Sequence, residues 1–184
     1  MSTSGCGAAP AGATPIHIAI LVVMKPHRDR VDVKRHIALV AHDNKKAELL
    51  EWASFNRDTL APHHLYATGT TGTMLEYELG LPVQRFLSGP VGGDQQVGAK
   101  IAEGVIDMLV FFWDPLSAQP HDPDVKALLR LGAVWNIPMA SNVATADFLI
   151  SSPLFSTHYD RVVPDFEPRD WRDLAGNSTE PPRA

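Results

Sequence analysis

Cysteine is nearly absent from this chain: Cys6 is the only one in 184 residues. That excludes an intrachain disulfide and any zinc site built from several thiolates. Cys6 also falls in a head rich in Gly, Ala, Pro and Ser, residues 1 to about 15, whose composition predicts disorder. A catalytic thiol would be poorly held there. The chain has no apolar run of the ~20 residues that a bilayer span needs; Ile16 to Met24 is a run of nine, interrupted by His17. No positively charged segment precedes that run, so the expectation is a cytoplasmic protein with no membrane partner. A basic cluster is missing too. With 16 basic residues against 21 acidic ones the net charge is −5, which argues against nucleic acid as the main partner. There is no Gly-x-Gly-x-x-Gly after the first apolar strand and no Walker lysine, so the two commonest nucleotide cradles are excluded.

What is present is an ordinary globular balance, 45% apolar and 20% charged, in a chain long enough for one domain with a real core. The charged stretch Lys25 to Lys34 reads as a linker, and from Arg35 apolar runs alternate regularly with helical patterns. Ile37–Val40 reads as a strand, followed by a helix over Lys45–Phe55. A second strand closes at Tyr66 and Ala67, before a helix over Gly72–Leu79 that Gly80 stops. Val83–Leu87 leads to a helix over Gln95–Glu103, and Met108–Phe112 to a long helix opened by Asp122-Pro123. Pro138–Ala140 precedes a helix over Ala144–Ile150, and Tyr159–Val163 reads as an added edge strand. Such alternation predicts an α/β fold with a mostly parallel sheet and helices on both faces.

In an open α/β sheet, ligands collect outside the carboxyl ends of the strands. The residues just beyond each strand here are unusually rich in chemistry. His42, Asp43, Lys45 and Lys46 follow the first; Thr68, Gly69, Thr70 and Thr71 the second; Ser88 to Asp94 the third. Trp113, Asp114, His121, Asp122 and Asp124 come after the fourth, and Ser141, Asn142 and Thr145 after the fifth. Thr-Gly-Thr-Thr at a helix start has the composition of a phosphate cradle, because glycine admits close backbone approach and the helix amides attract an anion. The threonines are also compatible with plain helix caps. Asp94 is either an N-cap or a functional carboxylate, and the three glycines among the five residues before it favour the second. Asp43 is ambiguous between cap and ion-pair partner, and Asp122 reads as a cap. His63 and His64 read as a surface pair. His121 precedes a helix N-terminus, where positive potential disfavours imidazolium and a neutral, hydrogen-bonding ring is expected.

The segments HIALVAHDNKK (36–46), LYATGTTG (65–72), LSGPVGGDQQVGAKIAEG (87–104), FFWDPLSAQPHDPDVKALLRL (111–131) and NIPMASNVATADFLISS (136–152) resemble those of the bacterial methylglyoxal synthases, in order and spacing. The likeness covers most of residues 35–165. It implies a single-domain three-layer α/β/α fold with a mostly parallel five-stranded sheet over residues 34–166. Residues 1–33 would be a flexible N-terminal extension and 167–184 a C-terminal tail. The implied reaction is conversion of dihydroxyacetone phosphate to methylglyoxal and inorganic phosphate by a lyase with no cofactor and no metal. Carried onto this chain, the base falls on Asp94 and the histidine facing the reacting oxygens on His121, with Asp124 and Asp114 nearby. Substrate and phosphate contacts fall on His42, Lys46, Thr68, Gly69, Thr70, Thr71, Ser88, Gly89 and His121. A carboxylate at a helix start is expected to stay ionised, as a base must. The resemblance also implies a homohexamer inhibited by phosphate, with a C-terminal arginine, Arg169 or Arg172, coupling subunits. The same fold recurs as a non-catalytic, phosphate-ligand-binding regulatory domain of large carbamoyl phosphate synthetases. Such a module would keep the threonines without needing the Asp94–His121 pair.

Overall fold

The computed structural model describes residues 26–117 and 122–164. The head with Cys6 and the run Ile16–Met24, the loop residue His121, and the tail with Arg169 and Arg172 lie outside the described residues. Five parallel strands form the central sheet: β2 (His36–Ala41), β3 (His64–Thr68), β4 (Val83–Phe86), β5 (Met108–Phe112) and β6 (Met139–Ala140), in the order β4-β3-β2-β5-β6. The middle strands read as unbroken apolar runs because both their faces are covered. All five residues of β5 are buried.

Period-two alternation sorts their side chains into two cores. Ile37, Leu39, Leu65, Ala67, Val110 and Phe112 face one layer, which receives Leu49, Trp52 and Ala53 of α1 (Lys46–Phe55), Leu60 of the short α2 (Arg57–Leu60), Leu75 and Leu79 of α3 (Gly69–Leu79), and Ala146 of α6 (Val143–Ser151). Ala38, Val40, Tyr66, Leu109 and Phe111 face the other, filled by Val97 and Ile101 of α4 (Gly93–Ala102) and Val125 and Leu128 of α5 (Asp122–Val134). The chain moves outward from β2 to β4 on the α1/α3 face, then crosses back to β5 and β6 on the α4/α5 face. Direction and face reverse together, so the crossovers keep one hand. The reversal leaves a topological switch point at the carboxyl end of β2.

Four elements depart from the sequence reading. Residues 26–31 are not linker: they form β1 (Pro26–Val31), which pairs antiparallel with β7 (Tyr159–Pro164). That strand in turn is not an edge of the main sheet, because the two make a separate ribbon. Charge concealed the strand. Arg28 and Arg30 are exposed, while Asp29 lies opposite Arg161 and accepts its Nη2 at 2.8 Å, and Val31 is buried. Helices α3 and α4 begin at Gly69 and Gly93, earlier than expected, since Gly and Thr are weak helix formers whose presence hides a first turn.

A second feature that the sequence did not disclose lies at the amino ends of the strands. Arg35 is buried and donates to the carbonyls of Asp32, Leu154 and Thr157, with its guanidinium 5.0 Å from the centre of the Tyr159 ring. Beside it, Asp107 accepts the His36 backbone N–H on both oxygens, at 3.1 and 3.2 Å. Burial pushes the Asp107 carboxyl up to about 6.

Candidate active site

A cavity of about 370 Å³ opens over the carboxyl ends of β2, β3 and β4. Its floor is Val40, Ala41 and Phe111, and its polar wall carries His42, Lys46, Thr68–Thr71, Ser88, Gly89 and Asp94. These residues come from three separate loops, and the fold brings them together.

The cradle is built at the junction of β3 and α3. Thr68 is the N-cap residue, in extended conformation, yet its side chain makes no capping bond. Thr70 and Thr71 lie inside the first helical turn, so neither is the helix cap. The first amides of α3 therefore have no side-chain cap, which is the arrangement that receives an anion at a helix start. Thr68 and Thr71 are buried, whereas the Thr70 hydroxyl reaches outward to accept Lys46 Nζ at 2.6 Å. Gly69 holds φ +38°, and a Cβ there would lie 2.2 Å from Ser88 Oγ. Its N–H also donates to the Leu87 carbonyl at 3.1 Å. The cradle loop and the serine loop are thus locked face to face, and only glycine fits.

The second loop is a single 3-10 turn, Gly89–Val91, closed by Gly92 and Gly93 donating to the carbonyls of Gly89 and Ser88. A Cβ on Gly93 would meet the Leu87 carbonyl oxygen at 2.0 Å, so glycine is what lets α4 start directly against the end of β4. This start places Asp94 in the first turn of α4, 5% exposed, with its carboxylate packed against Gly89. Asp94 is not the N-cap; that position is Gly92. The loop geometry therefore places the carboxylate in the cavity wall.

On the β2 side, Asp43 resolves as an ion-pair partner: its Oδ1 lies 2.5 Å from Lys46 Nζ. His42 is buried, and its Nδ1 accepts the Asp114 backbone N–H at 3.3 Å, so the neutral ring carries its proton on Nε2 as a donor. The Asp114 side chain is fixed in turn by Asn44 Nδ2 at 3.0 Å and by the Leu116 N–H at 3.1 Å. These two donations, that of Asn44 first, hold its carboxyl below the usual range. Asp114 therefore positions His42 through its backbone and stands outside the cavity lining.

Asp124 occupies the first turn of α5, partly buried, and is not among the described residues that line the cavity. His121 lies outside the described residues. Among the described residues no group of three or more His, Cys, Asp or Glu is placed to hold a metal ion. Among them, too, no helix is long and apolar enough to cross a membrane. The sequence reading did not single out Val40, Ala41 and Phe111 as cavity residues; apolar side chains near strand ends carry no signal that separates lining from core.

Comparison with known proteins agrees with this architecture. The family model described as MGS-like domain matches residues 48–141. The methylglyoxal synthase of Pectobacterium atrosepticum is 60% identical over 137 residues, covering 74% of this chain and 90% of that protein. That of Cellvibrio japonicus is 54% identical over 154 residues, covering 84% of this chain and the whole of the relative. The crystal structure of methylglyoxal synthase from Elizabethkingia anophelis superposes with a TM-score of 0.73 at 48% identity, covering 84% of this chain and 99% of that one. With the sheet order, the loop construction and these likenesses in agreement, the chain belongs to the methylglyoxal synthase family.

Proposed function

We infer that the chain is a carbon–oxygen lyase, a methylglyoxal synthase that converts dihydroxyacetone phosphate to methylglyoxal and inorganic phosphate. The observation that carries the chemistry is one cavity holding both an uncapped helix start with Lys46 beside it and a buried carboxylate, Asp94. The phosphate of the substrate sits on the α3 amides, Thr68, Gly69, Thr70 and Thr71, with Lys46, Ser88 and Gly89 around it. Asp94 takes a proton from the hydroxymethyl carbon beside the carbonyl and leaves an enediolate. His42, donating from Nε2, and His121 hydrogen-bond its oxygens, with Asp124 close by. Loss of the hydroxyl proton then drives electrons toward the C–O bond of the ester. Phosphate departs with that electron pair, and the enol left behind ketonises to methylglyoxal. The amides and Lys46 stabilise the leaving charge, which is the electrostatic contribution expected of preorganised donors.

The non-catalytic ligand-binding alternative is not favoured. A module that only bound phosphate would have no use for a carboxylate buried beside its anion, where it repels the ligand and costs desolvation. We further propose that the catalytic unit begins at Pro26, since β1 is tied into it, and that it works in the cytoplasm as a homohexamer with inorganic phosphate as a competing inhibitor. Phe55 and Tyr77, each 89% exposed, and Phe148, 78% exposed, are apolar surface of the kind that subunit contacts cover.

The test is methylglyoxal release from dihydroxyacetone phosphate, with deuterium exchange into the substrate as a second readout. Asp94→Asn should abolish both while phosphate still binds. His121→Asn should slow release by about 10²–10⁴-fold yet retain exchange. Normal exchange in the Asp94 variant would reverse the assignment of the base.

A further inference from the structure

We infer that Asp43 is a built-in competitor for the Lys46 ammonium, one that loosens the grip on phosphate so that the product can leave. The inference rests on the reading of the cavity as a phosphate site and adds a positioning residue to it. Lys46 Nζ has two partners at once, Asp43 Oδ1 at 2.5 Å and Thr70 Oγ1 at 2.6 Å. They contribute differently. The Thr70 hydroxyl, from the first turn of α3, holds the ammonium at the cradle through a neutral acceptor. Asp43 opens the 3-10 turn after β2 with its side chain 88% exposed, so it has no part in the core; the Lys46 side chain is 19% exposed. What the carboxylate adds beyond the hydroxyl is negative charge.

That charge has a consequence for an elimination. Every group that stabilises the departing phosphate also holds the free phosphate afterwards, so a site with only attractive groups releases it slowly. An anion that reclaims Lys46 offsets this. On entry the substrate phosphate takes the ammonium from Asp43, and the exposed carboxylate passes to water at little cost, as solvent-facing ion pairs do. On departure the pair re-forms. Asp43 touches no reacting atom in this scheme and acts through Lys46.

Titration calorimetry of the full chain with inorganic phosphate, beside steady-state kinetics on dihydroxyacetone phosphate, tests this. Asp43→Asn should tighten phosphate binding by about two- to five-fold, the worth of an exposed ion pair. KM should fall with it and kcat should not rise, while Tm moves by less than about 2 °C. Asp43→Glu should restore the wild-type affinity. In a Lys46→Ala background the Asp43→Asn step should change nothing. Phosphate binding that is unchanged or weaker in Asp43→Asn would overturn the inference, because Asp43 would then be orienting Lys46. A full effect surviving in the Lys46→Ala background would also overturn it, since Asp43 would then be repelling the anion directly. If the wild-type chain bound no phosphate, the phosphate reading of the cavity would fall first and this inference with it.

Discussion

Asp107 offers a quantitative test of the structure far from the chemistry. The residue is 9% exposed at the amino end of β5, with Arg35, Arg161 and Asp29 as its charged surroundings and both carboxyl oxygens accepting from the His36 N–H. Burial outweighs that hydrogen bond and both arginines and pushes its pKa from 3.8 to about 6. A carboxyl whose folded pKa lies above its unfolded one binds its proton more tightly in the native state. Wild-type stability therefore falls as pH rises from 3.8 through about 6, and stays at the lower level above that. At about 1.36 kcal/mol per pKa unit the loss is on the order of 3 kcal/mol. Asp107→Asn keeps an acceptor for His36 and removes the charge, but it buries an amide NH₂ that costs about 1 kcal/mol if left without an acceptor. The net expectation at pH 7.5 is a gain of about 2 kcal/mol, or roughly 4–8 °C in Tm. At pH 4 the two proteins should differ by about 1 kcal/mol or less, in favour of the wild type. Urea denaturation at a series of pH values measures this directly. A variant less stable than wild type at pH 7.5, or a difference that does not change with pH, would refute the reasoning. Either result would mean that Arg35 and Arg161 hold Asp107 as a carboxylate.

Two further outcomes are expected from packing. A chain beginning at residue 34 should be less stable than one beginning at residue 26 by about 1.5–3 kcal/mol, because loss of β1 takes the half-exposed Asp29 from the buried Arg161; equal denaturation midpoints would show that the ribbon contributes nothing. Gly69→Ala should cost about 1–2 kcal/mol for its left-handed backbone alone, and should weaken phosphate binding at least tenfold as Ser88 is pushed out of register. Wild-type affinity in that variant, measured by calorimetry, would mean that the two loops move independently.

The sequence was most legible where one physical cause dominates. Apolar runs as short as Met108–Phe112 fit strands covered on both faces better than helices, and with helical patterns between them they imply a parallel sheet. The cavity was legible by the same economy. Polar residues just beyond the ends of parallel strands share one rim, and His42, Lys46, the Thr68–Thr71 segment, Ser88, Gly89 and Asp94 line a single cavity there. Gly69 and Gly93 read in the sequence as places where the backbone approaches a ligand, whereas the atoms that crowd them belong to the protein itself, Ser88 Oγ and the Leu87 carbonyl oxygen.

The features that escaped the reading share a different cause: pairing between residues far apart in the chain. Asp29 looks like one charge in a charged linker until Arg161, 132 positions away, supplies the partner that lets it face inward as part of a strand. Arg35 stands before a strand, at the end of the sheet opposite the ligand rim, and nothing in its neighbours marks it as buried. Two of its three acceptors, Leu154 and Thr157, come from the far end of the chain. Asp43 was ambiguous for a subtler reason. Spacing of i to i+3 fits either a capping carboxylate or an ion pair with Lys46, and the local sequence does not distinguish them. The choice is made by Thr70, which fixes Lys46 from another strand's loop and leaves Asp43 as a second partner at the rim of the cavity. Local pattern thus yields the scaffold and the rim of the cavity, while pairing between residues far apart, Asp29 with Arg161 and Lys46 with Thr70, decides how the amino-end ribbon and the rim side chains are held.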